Sequence, residues 1–315
     1  KMTSMIFGAA CSPCCAEFVK NYNALQFAKS MPRGSNVIIN NMYVDDLVAS
    51  FNSNQDAAEI CEEAVAICAA GGFKLRNFVS NCKSLQNAMN ENGCSSQSFL
   101  NMERQASADK VLGLFWETKS DTFQFHFKFS RIPTDVINCV RPPTKRELLA
   151  IIMSVFDPFG FIANFLVFAK LLMQAVWKSE IAWDDQLPKE LYLKWKLWWK
   201  EFENIKNFTI PRCYSTNLCV ADDIQVHVFV DASASAFAAV VYFRIVSQNT
   251  TEVAFVSAKT RCGTRGLSIP RLELQAAVLG CRLLTTVLAS HDVQFSKIVF
   301  WSDSKTVIQW IRSTK

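Results

Sequence analysis

Five acidic residues stand out by type and spacing. Asp45 and Asp46 are adjacent in Asn41-Met42-Tyr43-Val44-Asp45-Asp46-Leu47-Val48, with apolar runs entering from Val37-Ile38-Ile39 and leaving through Leu47-Val48. Side-by-side carboxylates repel. Two β-prone runs meeting at an acidic tip predict a hairpin that lifts both out of a sheet. A divalent cation would relieve the repulsion, and paired carboxylates on Mg²⁺ serve phosphoryl transfer; the plain alternative is an acidic turn. The other three are Asp231, ending the alternating run Gln225–Val230; Glu273, in the first turn of a helix opened by Pro270; and Asp303, following the apolar run Lys297–Trp301. Two carboxylates at strand ends and one on a helix can converge on one metal-binding patch. Singly, each is an ordinary strand-end, dipole-favoured or capping acid. Lys259, Arg261, Arg265 and Arg271, with Gly263 and Gly266, form a basic stretch between strand and helix. It would lie where a nucleic-acid backbone passes, or it is a solvated loop.

The elements needed to position these groups are legible. With 315 residues, 50% hydrophobic and only 19% charged, the chain can bury two or three cores and is not a disordered tail. The net charge of +5 permits a polyanionic partner. The 12 cysteines lack the rhythm of a disulfide scaffold and read as reduced thiols. Cys11-Ser12-Pro13-Cys14 has no second pair at zinc spacing, and His126, His227 and His291 are isolated. No secretory leader is predicted. The apolar stretch Leu148–Trp177 is interrupted by Asp157, Pro158, Gly160, Asn164 and Lys170, so it predicts two buried helices, not a membrane span. An intracellular protein, in a cytoplasmic particle or the nucleus, is expected.

In order, Ser12 caps a helix begun by Pro13 and running to about Ser30, and Met31–Gly34 is a turn. The acidic hairpin follows, then an amphipathic helix over Gln55–Ala70 stopped by Gly71-Gly72. Val111–Trp116 and Phe123–Phe129 read as strands. Thr144 with Glu147 is a capping box. Leu191, Trp195, Trp198 and Phe202 share one helical face; they could stack bases, but Trp at helical spacing packs. Phe237–Phe243 and Val253–Ser257 complete a meander with the strand ending at Asp231, and Leu272, Ala276, Leu279 and Leu283 stripe the following helix.

The ordered blocks Phe7-Gly8, Ser12-Pro13, Tyr43-Val44-Asp45-Asp46, Gly71-Gly72-Phe73-Lys74-Leu75, Ser80-Asn81 and Leu112-Gly113 before Trp116 resemble a reverse transcriptase. More narrowly they resemble the Pol polyprotein of Bel/Pao-type LTR retrotransposons. Thr144-Lys145-Arg146, Asp157-Pro158-Phe159-Gly160, Trp183-Asp184 and Ile210-Pro211-Arg212 extend that likeness. Phe229-Val230-Asp231-Ala232-Ser233, Ile269-Pro270-Arg271-Leu272-Glu273-Leu274 and Trp301-Ser302-Asp303-Ser304 resemble the family's RNase H domain.

The resemblance implies an α+β palm fragment over 1–130, a mostly helical connection over 131–220, and an α/β RNase H-like domain over 221–315, truncated at both ends of the chain. It implies RNA-directed DNA polymerase and RNase H chemistry, with Asp45, Asp46, Asp231, Glu273 and Asp303 as catalytic metal ligands for pairs of Mg²⁺ ions. Tyr43 and Val44 would underlie the primer end and incoming deoxynucleotide, and Ser12 and Pro13 would flank the template. RNA/DNA hybrid, template-primer and the remainder of the Pol polyprotein are the implied partners. The family's first palm aspartate has no counterpart before Asp45, where the only acidic residue is Glu17, and the fourth nuclease carboxylate would follow Lys315. The isolated chain is therefore expected to be inactive as a polymerase; the alternative is a wholly inactive remnant that binds nucleic acid. Family members carry a region labelled an aspartic peptidase, but no Asp-Thr-Gly or Asp-Ser-Gly occurs here.

Overall fold

A computed structural model describes residues 6, 8–92, 109–111, 113–248, 250–264 and 266–313. Phe7, Leu112 and Arg265, singled out above, lie outside them. The chain divides into two compact units, Lys1–Asp121 and Thr122–Lys315.

The first unit contains α1 (Ser12–Gln26), α2 (Pro32–Asn41), β1 (Met42–Tyr43), β2 (Asp46–Leu47), α3 (Asn54–Ala70), α4 (Lys83–Asn92), β3 (Asp109–Val111) and β4 (Leu114–Glu117). Its core joins Ala24, Ile38, Ala64, Ile67 and Cys68 from three helices. The expected strand at Val37–Ile39 is instead the second half of α2, whose buried Gly34, Ser35, Val37 and Ile38 fall at helical spacing. Packing overrides the β preference of the branched triplet. Pro32 starts that helix where a turn was expected, and the Gly34 amide donates to the Glu63 carboxylate at 2.7 Å. Ser12 is not the cap of α1: Cys11 holds that position, and the Ser12 hydroxyl donates to the Ile6 carbonyl at 2.7 Å. The helix ends at Gln26, short of Ser30. α3 closes as foreseen, with Gly72 at φ +80°, its amide bonded to the Ala69 carbonyl and the Phe73 amide to that of Cys68. This is a glycine-dependent helix stop.

The second unit opens with a helical layer. β5 (Thr122–Gln124) pairs with β6 (Thr209–Pro211), and between them come α5 (Thr134–Ile137), α6 (Lys145–Met153), α7 (Ala163–Lys178) and α8 (Lys189–Lys206). The strand expected over Phe123–Phe129 stops at Gln124. The alternating phenylalanines go instead into the helical core, with Phe127 4.3 Å from Phe202 and Phe129 5.4 Å from Trp199. Leu191, Trp195, Trp198 and Phe202 are all buried there, so the α8 stripe is core and no base platform. α6 carries the capping box of Thr144 and Glu147.

The sheet follows: β7 (Asp223–Ala232), β8 (Ala236–Ser247) and β9 (Thr250–Cys262) form an antiparallel meander. α9 (Ile269–Ser290) then crosses back to β10 (Lys297–Trp301), which lies parallel to β7, and α10 (Lys305–Arg312) ends the unit. The order is β10-β7-β8-β9. Val226, Val228 and Val230 of β7, with Val241 and Phe243 of β8, meet Leu272, Ala276, Leu279 and Leu283 of α9 in one core.

β9 is the sheet's outer strand on that side, and the helical layer covers it. The Phe159 carbonyl accepts from the Ala258 amide at 2.8 Å and from the Ser257 hydroxyl at 2.9 Å. Lys170 of α7 reaches the carbonyl and the hydroxyl of Thr260, both at 3.1 Å. Asp157 holds the intervening turn, accepting from the amides of Phe161 and Ile162 at 2.9 and 3.0 Å. Gly160 sits at φ +79°, where a Cβ would fall 2.0 Å from the Ala258 carbonyl oxygen. Gly160→Ala combines a left-handed alanine with a backbone collision, and should cost about 2–3 kcal/mol. Urea unfolding measures it; a loss below about 0.5 kcal/mol, the level of an ordinary surface change, would contradict this docking.

Candidate metal centre

Asp231 is the penultimate residue of β7 and Asp303 follows β10. Because these strands are parallel neighbours, with Trp301 opposite Phe229, both aspartates emerge at the same end of the sheet. Glu273 arrives from α9. Ile269 is the first helical residue, so Glu273 is the fifth, just past the first turn in which it was expected, and that turn holds no acid. The helix dipole therefore does not account for it. One carboxylate oxygen from each of the three lies within 4.8 Å of the others.

The surroundings are uneven. Asp231 and Asp303 are exposed, whereas Glu273 is 7% exposed. Burial pushes the Glu273 carboxyl up, and the charges of Asp231 and Asp303 push it further. Its Oε2 is buried without a hydrogen-bond partner. A buried carboxylate with an unpartnered oxygen, grouped with two more carboxylates, is costly unless a proton or a cation supplies the missing charge. Hard oxygen donors are the set that Mg²⁺ or Mn²⁺ takes, and by that test the residues fit a divalent cation.

Asp231 and Asp303 open onto a cleft of about 440 Å³. Its floor includes Phe229 and Trp301, whose rings stack 5.9 Å apart. Sequence reasoning passed over both aromatics. The available signal was that each stands two residues before a motif aspartate, Phe229 on the same strand as Asp231 and hence on the same face. The Trp301 indole N–H donates to Nδ1 of His227 at 2.9 Å, so this histidine orients the cleft floor.

Lys259 and Arg261 are exposed on β9, opposite Ala239 and Phe237, on the α9 side of the sheet. Ala239 in turn pairs with Val230, so Lys259 stands two strands, about 10 Å, from the residue preceding Asp231. Arg271 is exposed in the first turn of α9.

In the first unit, β1 and β2 pair through Tyr43 and Asp46, leaving Val44 and Asp45 as the tip. The expected hairpin forms, but two residues long on each side and preceded by a helix. Val44 sits at φ +53°, a strained setting for a β-branched residue. Tyr43, Val44, Asp45 and Asp46 are all exposed. Among the described residues no third acidic, histidine or cysteine ligand joins this pair. Ser12 is partly buried and Pro13 exposed at the start of α1.

A three-stranded meander, a crossover helix and a parallel fourth strand, with acids where the parallel strands end, make the second unit an RNase H-like α/β domain with a mixed sheet. Comparison with known families matches residues 144–304 to the family described as Pao retrotransposon-like RNaseH-like domain. The match spans just over half of the sequence, and the chain belongs to that family. It runs from the α6 cap to just past Asp303, taking in helical layer and sheet together. No curated protein sequence matches. A solved structure described as the foamy viral protease-reverse transcriptase dRH in complex with double-stranded DNA is similar at 14% identity and a TM-score of 0.48, over 92% of this chain. This chain spans 43% of that one.

The raised Glu273 pKa has a definite sign. In metal-free protein its stabilising contribution is fully present below the ordinary value of 4.5 and is lost as pH rises through the raised folded-state value. Glu273→Gln should therefore unfold at higher urea than the parent near neutral pH in a chelator, with the gap closing as pH falls towards 4.5. A gap of opposite sign, or one independent of pH, would contradict the electrostatic account.

Proposed function

We propose that this chain carries the divalent-metal nuclease centre of a retrotransposon Pol protein, hydrolysing the RNA strand of RNA/DNA hybrids. The observation that carries the reading is the convergence of Asp231, Glu273 and Asp303, with a buried Glu273 oxygen left without a partner. Asp231, Glu273 and Asp303 would hold Mg²⁺, which when bound polarises phosphate, activates water and neutralises charge at the leaving oxygen. The two exposed aspartates face the substrate side, and Glu273 anchors from beneath. Lys259, Arg261, Arg265 and Arg271 would hold the hybrid's phosphates and set its register without reading bases.

The first unit we read as part of a reverse-transcriptase palm, with Tyr43, Val44, Asp45 and Asp46 at the primer end and Ser12 and Pro13 beside the template. Two carboxylates are too few oxygen donors for two-metal chemistry, so we assign the isolated chain's phosphoryl chemistry to the second unit and no polymerase activity to the hairpin. The domain boundaries near 130 and 220, an intracellular site and partnership with the rest of Pol belong to the same reading.

The direct test incubates the chain with Mg²⁺ and a labelled RNA/DNA hybrid beside Asp231→Asn. Hybrid-specific RNA cleavage should fall by about 100-fold or more in the variant. Uncleaved hybrid with retained binding would instead identify an inactive binding remnant. For the basic face, Lys259→Ala with Arg261→Ala should reduce the slope of log binding constant against log salt by about 2, since each lost phosphate contact is worth roughly one. An unchanged slope would remove these two residues from the interface.

A further inference from the structure

Gly280 is a poor choice by helix propensity, lying deep inside a 22-residue helix where alanine would be favoured. It is buried against the sheet. A Cβ there would stand 2.6 Å from Val230 Cγ1, 3.2 Å from Val228 Cγ1 and 3.4 Å from Phe300 Cε1. The first of these is far inside contact distance. Val230 cannot swing away freely, because a β-branched side chain in a strand has restricted χ1 freedom.

The neighbours matter more than the clash alone. Val230 immediately precedes Asp231 on β7, and Phe300 lies on β10, the strand that leads to Asp303. The glycine therefore meets both strands that deliver the two exposed carboxylates. Glu273 lies seven residues earlier on the same helix, about two turns and some 10 Å away on the same face. Leu272, Ala276, Leu279 and Leu283 complete the buried face, so the helix seats as a rigid body. Widening its spacing from the sheet at Gly280 would carry Glu273 outward too.

We infer that Gly280 is a positioning residue of the carboxylate centre: the missing side chain sets the α9–β7 spacing at which Glu273 reaches Asp231 and Asp303. This inference rests on the metal-centre reading for its consequence in binding, but its geometric content stands apart. The shared space with Val230 defines a rescue, because Val230→Ala removes the atom with which the new Cβ would collide.

The test compares the full chain with Gly280→Ala, Val230→Ala and the double variant. Crystal structures of the metal-free proteins report the carboxylate separations, and Mn²⁺ titration followed by electron paramagnetic resonance reports affinity. In Gly280→Ala the Glu273 oxygen should move beyond the 4.8 Å that now joins the three groups, with Mn²⁺ affinity down about 10-fold or more. Val230→Ala alone should hold both readouts near the parent, and the double variant should restore both. If Gly280→Ala fails to fold, the double variant decides: parental geometry supports the inference, and displaced carboxylates overturn it. A folded Gly280→Ala with parental separations also overturns it. Should the parent bind no Mn²⁺, the metal reading fails while the separations still judge the positioning role.

Discussion

Three carboxylates held within reach of one another oppose their own assembly. What keeps them together is apolar burial between α9 and the β7–β8 face, where Leu272, Ala276, Leu279 and Leu283 pack on Val226, Val228, Val230, Val241 and Phe243. The register of that core is the constraint on which the site depends. The residues next to the acids in sequence, Val230 and Leu272, are themselves buried. Stability and site geometry are thus written into the same contacts, and the cost of repulsion falls on the group with least access to water. That group is Glu273, whose raised pKa and unpartnered oxygen report it.

The helical layer is joined to the sheet through an edge. An exposed outer strand would present unpaired backbone groups. Here the Asp157–Gly160 turn and α7 occupy that edge, using the Phe159 carbonyl, the Lys170 ammonium and the Gln174 amide, which donates to the Gly263 carbonyl at 3.2 Å. The contacts continue along β9 to the stretch bearing Lys259 and Arg261. A layer whose own core is built on Trp195, Trp198 and Phe202 therefore braces the strand that bears Lys259 and Arg261. The family match across 144–304 runs through both parts without a break.

The two acidic sites differ in completeness. At the hairpin, exposed Asp45 at the tip and Asp46 beside it have no third described ligand, and Val44 is strained. At the sheet, exposed aspartates gain a buried third member. Adjacent carboxylates in a sequence make a recognisable motif, but a cation needs donors that converge from different directions. Only the second site draws its donors from three separate elements.

Much was legible in advance because it depends on local pattern. Thr144 and Glu147 form their capping box, and Gly71-Gly72 stops α3 because only a left-handed residue closes that helix end. The α8 stripe buried as Trp at helical spacing should, and the RNase H-like α/β class was implied by the resemblance of the motifs around Asp231, Glu273 and Asp303. Local pattern failed where distant packing outweighed it. Val37–Ile39 is helical because Ile38 fills a space between α1 and α3, and Phe125–Phe129 leaves the strand because α8 offers its rings a core. The identities of Asp231, Glu273 and Asp303 were set by the amino-acid order alone. Their convergence, the burial of Glu273 and the aromatic floor beneath them were decided by tertiary structure, because a parallel strand pair and a crossing helix bring together side chains that no local spacing relates.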